Sequence, residues 1–235
     1  MPRYKITVEY DGGPFVGWQR QDSGPSIQAA LEDAVLAFAG ERVTVHGAGR
    51  TDAGVHAVSQ VAHFDLALEK RLEEVRGALS FHLKPQPIVV RSAEFAPPGF
   101  HARFSATHRR YRYRILNRRT PAALQRGQVW HVPVPLDAGA MQAAAAVLIG
   151  KHDFNSFRSA SCQAKSSIKT LDELAVRDGD LGDVRGVDDQ FAAIRDDRFE
   201  FVHALSADPK FIVHRRRAAQ HGVERTALVS DVQAP

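Results

Sequence analysis

YKITVEY, residues 4–10, sets an aromatic or aliphatic side chain at every second position. Tyr4, Ile6, Val8 and Tyr10 alternate with Lys5, Thr7 and Glu9. A period of two belongs to a strand with one face buried. A glycine-rich loop follows, DGGPFVGWQRQ, carrying Trp18, Gln19 and Arg20. Ser26 then stands at an N-cap position, and Ile27, Leu31, Val35 and Phe38 recur at helical spacing before Gly40. A serine hydroxyl can accept from an otherwise orphaned N–H of the first turn, and a glycine just past the last turn takes the left-handed conformation easily. RVTVHG (42–47), SQVAHFDL (59–66) and PIVVRSAEF (87–95) predict three more strands, with a helix over Leu68–Leu79. Strand–helix–strand–strand–helix–strand is the order of a split βαβ, ferredoxin-like layout in the α+β class.

A second half begins near Ala106. RRYRYRIL (109–116) predicts a strand with Tyr111, Tyr113 and Ile115 on one face and Arg110, Arg112 and Arg114 on the other. Asp137 is placed to cap a helix burying Met141, Ala144, Ala145 and Leu148, and TLDELAV (170–176) predicts another strand. The expected organisation is 1–105, a second half over 106–177, and an atypical tail over 178–235. In that tail Asp, Arg, Val and Ala fill 31 of 58 positions. No element is predicted beyond about Val176, because periodicity lapses there.

The 235 residues are 44 % apolar and 25 % charged, ordinary for a globular protein. No apolar run approaches the roughly 18 residues of a membrane span. The start, MPRYKITVEYDG, lacks the apolar stretch of a secretory signal, so a cytoplasmic protein is expected. Cys162 is the single cysteine, which excludes an internal disulfide and a zinc site of paired cysteines. The 11 histidines show no HExxH spacing, and no metal is expected. The net charge is only +4, but from Phe95 to Leu136 there is no acid, against eight arginines and three histidines. Such a stretch suits a polyanion, since guanidinium groups fork onto phosphates; it also suits a merely solvated basic face.

GAGRTDAGVHA, residues 47–57, sets Gly47, Gly49 and Gly54 around Arg50 and Asp52. Such a loop allows tight turns and close approach of a ligand to the backbone. An ionised carboxylate facing a cleft can act as nucleophile or base, whereas an Asp-Ala-Gly turn can equally use it to cap its own backbone. Tyr111 likewise reads as a core residue or as a platform for a nucleobase. His56 and His63 read as structural hydrogen bonders.

EYDGGPFVGWQRQ, SIQAALEDAV, AGRTDAGVHA, QVAHF, FHARFSATHRRYRYRI and HDFNSFR, in this order over Tyr4–Val176, resemble the TruA-type tRNA pseudouridine synthases. The resemblance implies isomerisation of uridine to pseudouridine at positions 38–40 of the tRNA anticodon stem-loop, without cofactor or metal. Asp52 matches the catalytic aspartate, Arg50 the arginine that pairs with it and helps hold the flipped nucleotide, and Tyr111 the tyrosine that stacks on the uracil. Trp18, Gln19, Arg20, Thr51, His101, Arg103, Arg109, Arg110 and Arg112 become candidate RNA-binding residues. The implied architecture is two ferredoxin-like halves around a continuous antiparallel sheet, working as a homodimer with a basic cleft.

Two features depart from the family. Ser80 and Phe81 stand where an Asn-Ala pair is usual, and the family's FLHHMVR-like helix start and closing GLYL strand are absent, with Phe211–Arg217 a faint echo. The loss of these motifs together with periodicity raises the hypothesis of a tail replaced by a change of reading frame, which an HHMVR-like stretch in another frame of the coding DNA would support. A relative that grips structured RNA without turnover is the alternative reading.

Overall fold

The computed structural model describes residues 1–157, 166–181, 184–194 and 228–230. They divide into two units, one holding residues 1–109 and the strand at 228–230, the other beginning at Arg110. Cys162 and Phe211–Arg217 lie outside the described residues.

In the first unit β1 (Arg3–Tyr10) leads to α1 (Ile27–Ala39), β2 (His46–Gly47), β3 (His56–Asp65), α2 (Leu72–His82) and β4 (Ile88–Phe95). β1 lies between β4 and β3, antiparallel to both, and β2 pairs antiparallel with β3. The alternation of YKITVEY is realised: Tyr4, Ile6, Val8 and Tyr10 are buried. They share a core with Ile27, Leu31 and Val35 of α1 and with Val75 and Leu79 of α2. Full burial of one such side chain contributes about 1.5–3 kcal/mol. Tyr4 stacks on Phe64 at 5.6 Å and accepts from the Lys70 N–H at 2.6 Å, so its hydroxyl is satisfied despite burial.

α1 begins and ends as its sequence dictates. The Ser26 hydroxyl accepts from the Ala29 N–H at 3.3 Å, and Gly40 closes the helix at φ 73° with its N–H on the Leu36 carbonyl. The six-residue strand expected over 42–47 contracts to His46–Gly47.

β5 (Arg109–Tyr113) begins on the last residue of the first unit and continues into the second, which also contains β6 (Ile115–Leu116), β7 (Trp130–His131), α3 (Ala138–Val147), β8 (Gly150–Asp153), β9 (Ile168–Leu181) and β10 (Val184–Ile194). β9 lies between β10 and β8 and is antiparallel to both. A small core of Ala145, Phe154, Leu171 and Leu174 packs against Tyr111 and Tyr113. Asp137 caps α3 by accepting from Ala140 N–H at 3.0 Å. Of the four side chains expected beneath α3 only Ala145 is fully buried; Ala144 is exposed, and Met141 and Leu148 are half-buried.

Beyond Val176, where the sequence assigns no element, β9 runs on to Leu181, β10 follows, and β11 (Leu228–Ser230) pairs in parallel with His56 and Ala57 of β3. The molecule is thus mixed α+β, with mainly antiparallel strand pairing and few helices. Among the described residues no helix is long and apolar enough to cross a membrane.

Candidate active-site loop

The chain leaves β2 at Gly47 and reaches β3 at His56, and the backbone between them is tied at nearly every step. Ala48 N–H donates to the Val61 carbonyl at 2.8 Å. The Ala48 carbonyl accepts from the Arg109 guanidinium at 2.7 Å, and the Gly49 carbonyl accepts from Gln60 Nε2. The Thr51 carbonyl accepts from the Trp18 N–H at 2.9 Å, while its hydroxyl meets the Tyr10 hydroxyl at 2.9 Å. Asp52 forms an isolated antiparallel bridge with Gly17, and its carbonyl closes a turn with Val55 N–H at 3.2 Å. A fixed backbone therefore carries two exposed charged side chains, Arg50 and Asp52.

The glycines serve different ends. A Cβ on Gly47 would stand 2.5 Å from the Trp18 indole, and one on Gly12, in the neighbouring loop, 2.0 Å from the Val55 carbonyl oxygen. Gly54 is the loop residue with positive φ, 78°. Asp11 and His56 lie 2.8 Å apart, through Oδ1 and Nδ1, and link that neighbouring loop to the start of β3.

The sequence-predicted residues divide by what they touch. Among the described residues Arg50 and Asp52 form no ion pair with each other, so the arginine–aspartate pairing implied by resemblance is not made here. Trp18, 2 % exposed, packs beneath Gly47 rather than presenting a face. Arg20 is engaged by Glu32 at 2.6 Å and lies 3.9 Å from Asp33, and both Gln19 Nε2 and the Arg20 N–H donate to Gln28 Oε1. Arg109, expected at the RNA surface, is 2 % exposed and spends its donors on carbonyls of this chain. Arg103 is half-buried, with its guanidinium 5.9 Å from the exposed Phe104 ring. In the second unit Arg110, Tyr111 and Arg112 are half-buried on β5, Tyr111 against the small core.

Sequence reading missed a histidine cluster. His63 stacks on His46 at 4.9 Å, His101 meets His63 edge-on at 4.6 Å, and Phe104 covers His101 at 4.5 Å. His63 Nδ1 accepts from Ala102 N–H at 3.1 Å, which requires an unprotonated nitrogen. Burial, then the neighbouring His101 and His46, lowers the His63 pKa to about 4; burial also lowers that of His101. Asp65 is held below its usual value chiefly by its hydrogen bond from Arg3. Among the described residues no three His, Cys, Asp or Glu side chains are arranged to hold a metal ion. Gln60 was also missed, although a polar residue at an inward-facing position of SQVAHFDL was the available signal.

A family model described as tRNA pseudouridine synthase matches residues 6–105 and 144–204. The chain belongs to the tRNA pseudouridine synthase family. The match runs past Val176, where resemblance by motif stopped. Among family relatives, a protein named tRNA pseudouridine synthase A from Methylorubrum populi is 61 % identical over 176 residues, 75 % of this chain and 70 % of the relative. Its namesake from Rhodopseudomonas palustris strain BisB5 is 60 % identical over 185 residues, 78 % and 76 % of the two chains. That from Rhodospirillum centenum is 61 % identical over 176 residues, 75 % and 72 %.

Proposed function

We propose that the chain isomerises uridine to pseudouridine in tRNA, at positions 38–40 of the anticodon stem-loop. In that reaction the bond from ribose C1′ to N1 breaks, the base turns, and a bond from C1′ to C5 forms. The C5 proton is lost and N1 gains one, so the product is an isomer. The observation that carries the reading is the exposed Asp52 carboxylate on a loop whose backbone is fixed at Ala48, Gly49, Thr51 and Asp52. A nucleophile gains from such fixing because a near-attack geometry is held before the substrate arrives. Asp52 serves as nucleophile, Arg50 holds the extruded nucleotide, and Tyr111 stacks on the uracil, as resemblance to the TruA-type enzymes supports. Extruding a base from a stem costs a few kcal/mol, which contacts to phosphates must offset.

The acid-free run from Phe95 to Leu136 supports a tRNA-binding role for its arginines, with Arg103, Arg110 and Arg112 the candidates. Two ferredoxin-like halves fit the same reading: in the first unit the strand order β4-β1-β3-β2, with a helix after β1 and another after β3, supports that layout. A cytoplasmic homodimer acting without cofactor completes the proposal. An RNA-gripping relative without turnover has no observation in its favour.

The test is tritium release from tRNA labelled at uridine C5. Wild type is expected to release tritium, and Asp52→Ala to release none while binding tRNA with its affinity largely unchanged. Near-normal release by Asp52→Ala would sink the nucleophile assignment.

A further inference from the structure

Two buried polar side chains reach the same short piece of backbone from different parts of the first unit. Gln60, 0 % exposed, sits on β3 opposite Val8, and its Nε2 donates to the Gly49 carbonyl. Its Oε1 is buried and has no hydrogen-bond partner among the described residues. Arg109 donates to the Ala48 carbonyl through Nη2 at 2.7 Å and Nε at 3.3 Å, and to the Arg103 carbonyl at 3.3 Å. Among the described residues no carboxylate pairs with it. A buried guanidinium without a counter-ion and a buried amide oxygen without a donor both cost stability. An apolar side chain at either site would avoid that cost but leave a loop carbonyl without its donor, so what these two side chains supply is a hold on that backbone.

The two carbonyls they hold are consecutive. Each carbonyl lies in the plane of the peptide that follows it, so fixing those of Ala48 and Gly49 fixes both planes flanking Gly49. The two dihedrals of a residue with no steric preference of its own are thereby set. The next residue is Arg50, and Asp52 follows two further on.

We propose that Gln60 and Arg109 are positioning residues, which together orient the Arg50–Asp52 segment for attack on the extruded nucleotide. The proposal rests on the isomerase reading above. It removes Arg109 from the phosphate-binding set and gives its charge an internal task.

The experiment compares wild type, Gln60→Met, Gln60→Glu and Arg109→Met in tritium release and in tRNA binding across a salt series. Gln60→Met keeps the length and loses the donor; kcat should fall about 10- to 100-fold, with KM and tRNA affinity within about twofold. Gln60→Glu is isosteric and donates to the Gly49 carbonyl only when protonated. Its kcat should recover towards wild type as pH is lowered, a profile that no loss of packing produces. Arg109→Met should lower kcat yet leave the salt dependence of tRNA binding unchanged, whereas loss of a phosphate contact reduces that slope by about 1.

Unchanged kcat in Gln60→Met, or a reduced salt slope in Arg109→Met, overturns the proposal. Should Gln60→Met fail to fold, a Gln60→Glu pH profile parallel to that of wild type does the same. A wild type without turnover would sink the isomerase reading instead. The clamp is then judged by hydrogen exchange at the 48–53 amides: tenfold faster exchange in Gln60→Met sustains it, and unchanged exchange ends it.

Discussion

His63 should make the first unit sensitive to acid well above the range in which carboxylates titrate. The ring is 1 % exposed, its Nδ1 accepts from Ala102 N–H, and His46, His101, Arg3 and Asp65 surround it. Its pKa falls from 6.5 to about 4 on folding. For a base lowered in this way, stability is complete above the unfolded value. It declines as pH drops through the window between 6.5 and about 4, because only the unfolded chain takes up the proton. Between about pH 7.5 and about pH 5 the loss from this group is about 2 kcal/mol. With a urea dependence of about 2 kcal/mol per molar, the unfolding midpoint moves down by roughly 1 M. The comparison protein is His63→Asn, which keeps an acceptor near Ala102 and carries no charge at either pH. A Trp130→Phe background leaves Trp18, buried in the first unit, as sole fluorescent reporter. The variant starts less stable through loss of the ring, but its midpoint should move less with pH by that same 1 M. Parallel shifts in the two proteins would refute the argument, since every other titrating group is common to both.

Two further outcomes concern the frame around the loop. Gly47→Ala forces a Cβ onto the Trp18 indole and should cost about 1–3 kcal/mol, read by thermal unfolding together with a change in Trp18 emission. Ser26→Ala removes the acceptor for the Ala29 N–H and should lower stability by about 1 kcal/mol in urea unfolding.

Where local chemistry decides structure, the sequence was readable. YKITVEY became β1 in its expected register of burial, and Ser26 and Gly40 delimit α1 because each satisfies a specific orphaned backbone group. Asp52 and Arg50 were legible for a related reason: a polar, glycine-framed loop leaves few alternatives to exposure. The fate of Arg109 was not legible, because composition counts its charge among the basic residues and says nothing of which way it turns. The histidine cluster joins residues 46, 63 and 101, a separation that no periodicity reports. β10 escaped notice because VRGVDDQFAAI does not alternate, and its pairing with β9 is a long-range matter.

Gly12 and Gly47 both lack room for a methyl group, yet they stand differently towards mutational drift. At Gly47 the obstacle is a side chain, the Trp18 ring, so a second change that shrinks residue 18 can open the space. Those two positions are therefore epistatic, each free to vary only after the other has moved. At Gly12 the obstacle is the Val55 carbonyl, which every amino acid at position 55 carries. No compensating exchange at that position exists, and a lineage that leaves glycine there must first move the backbone.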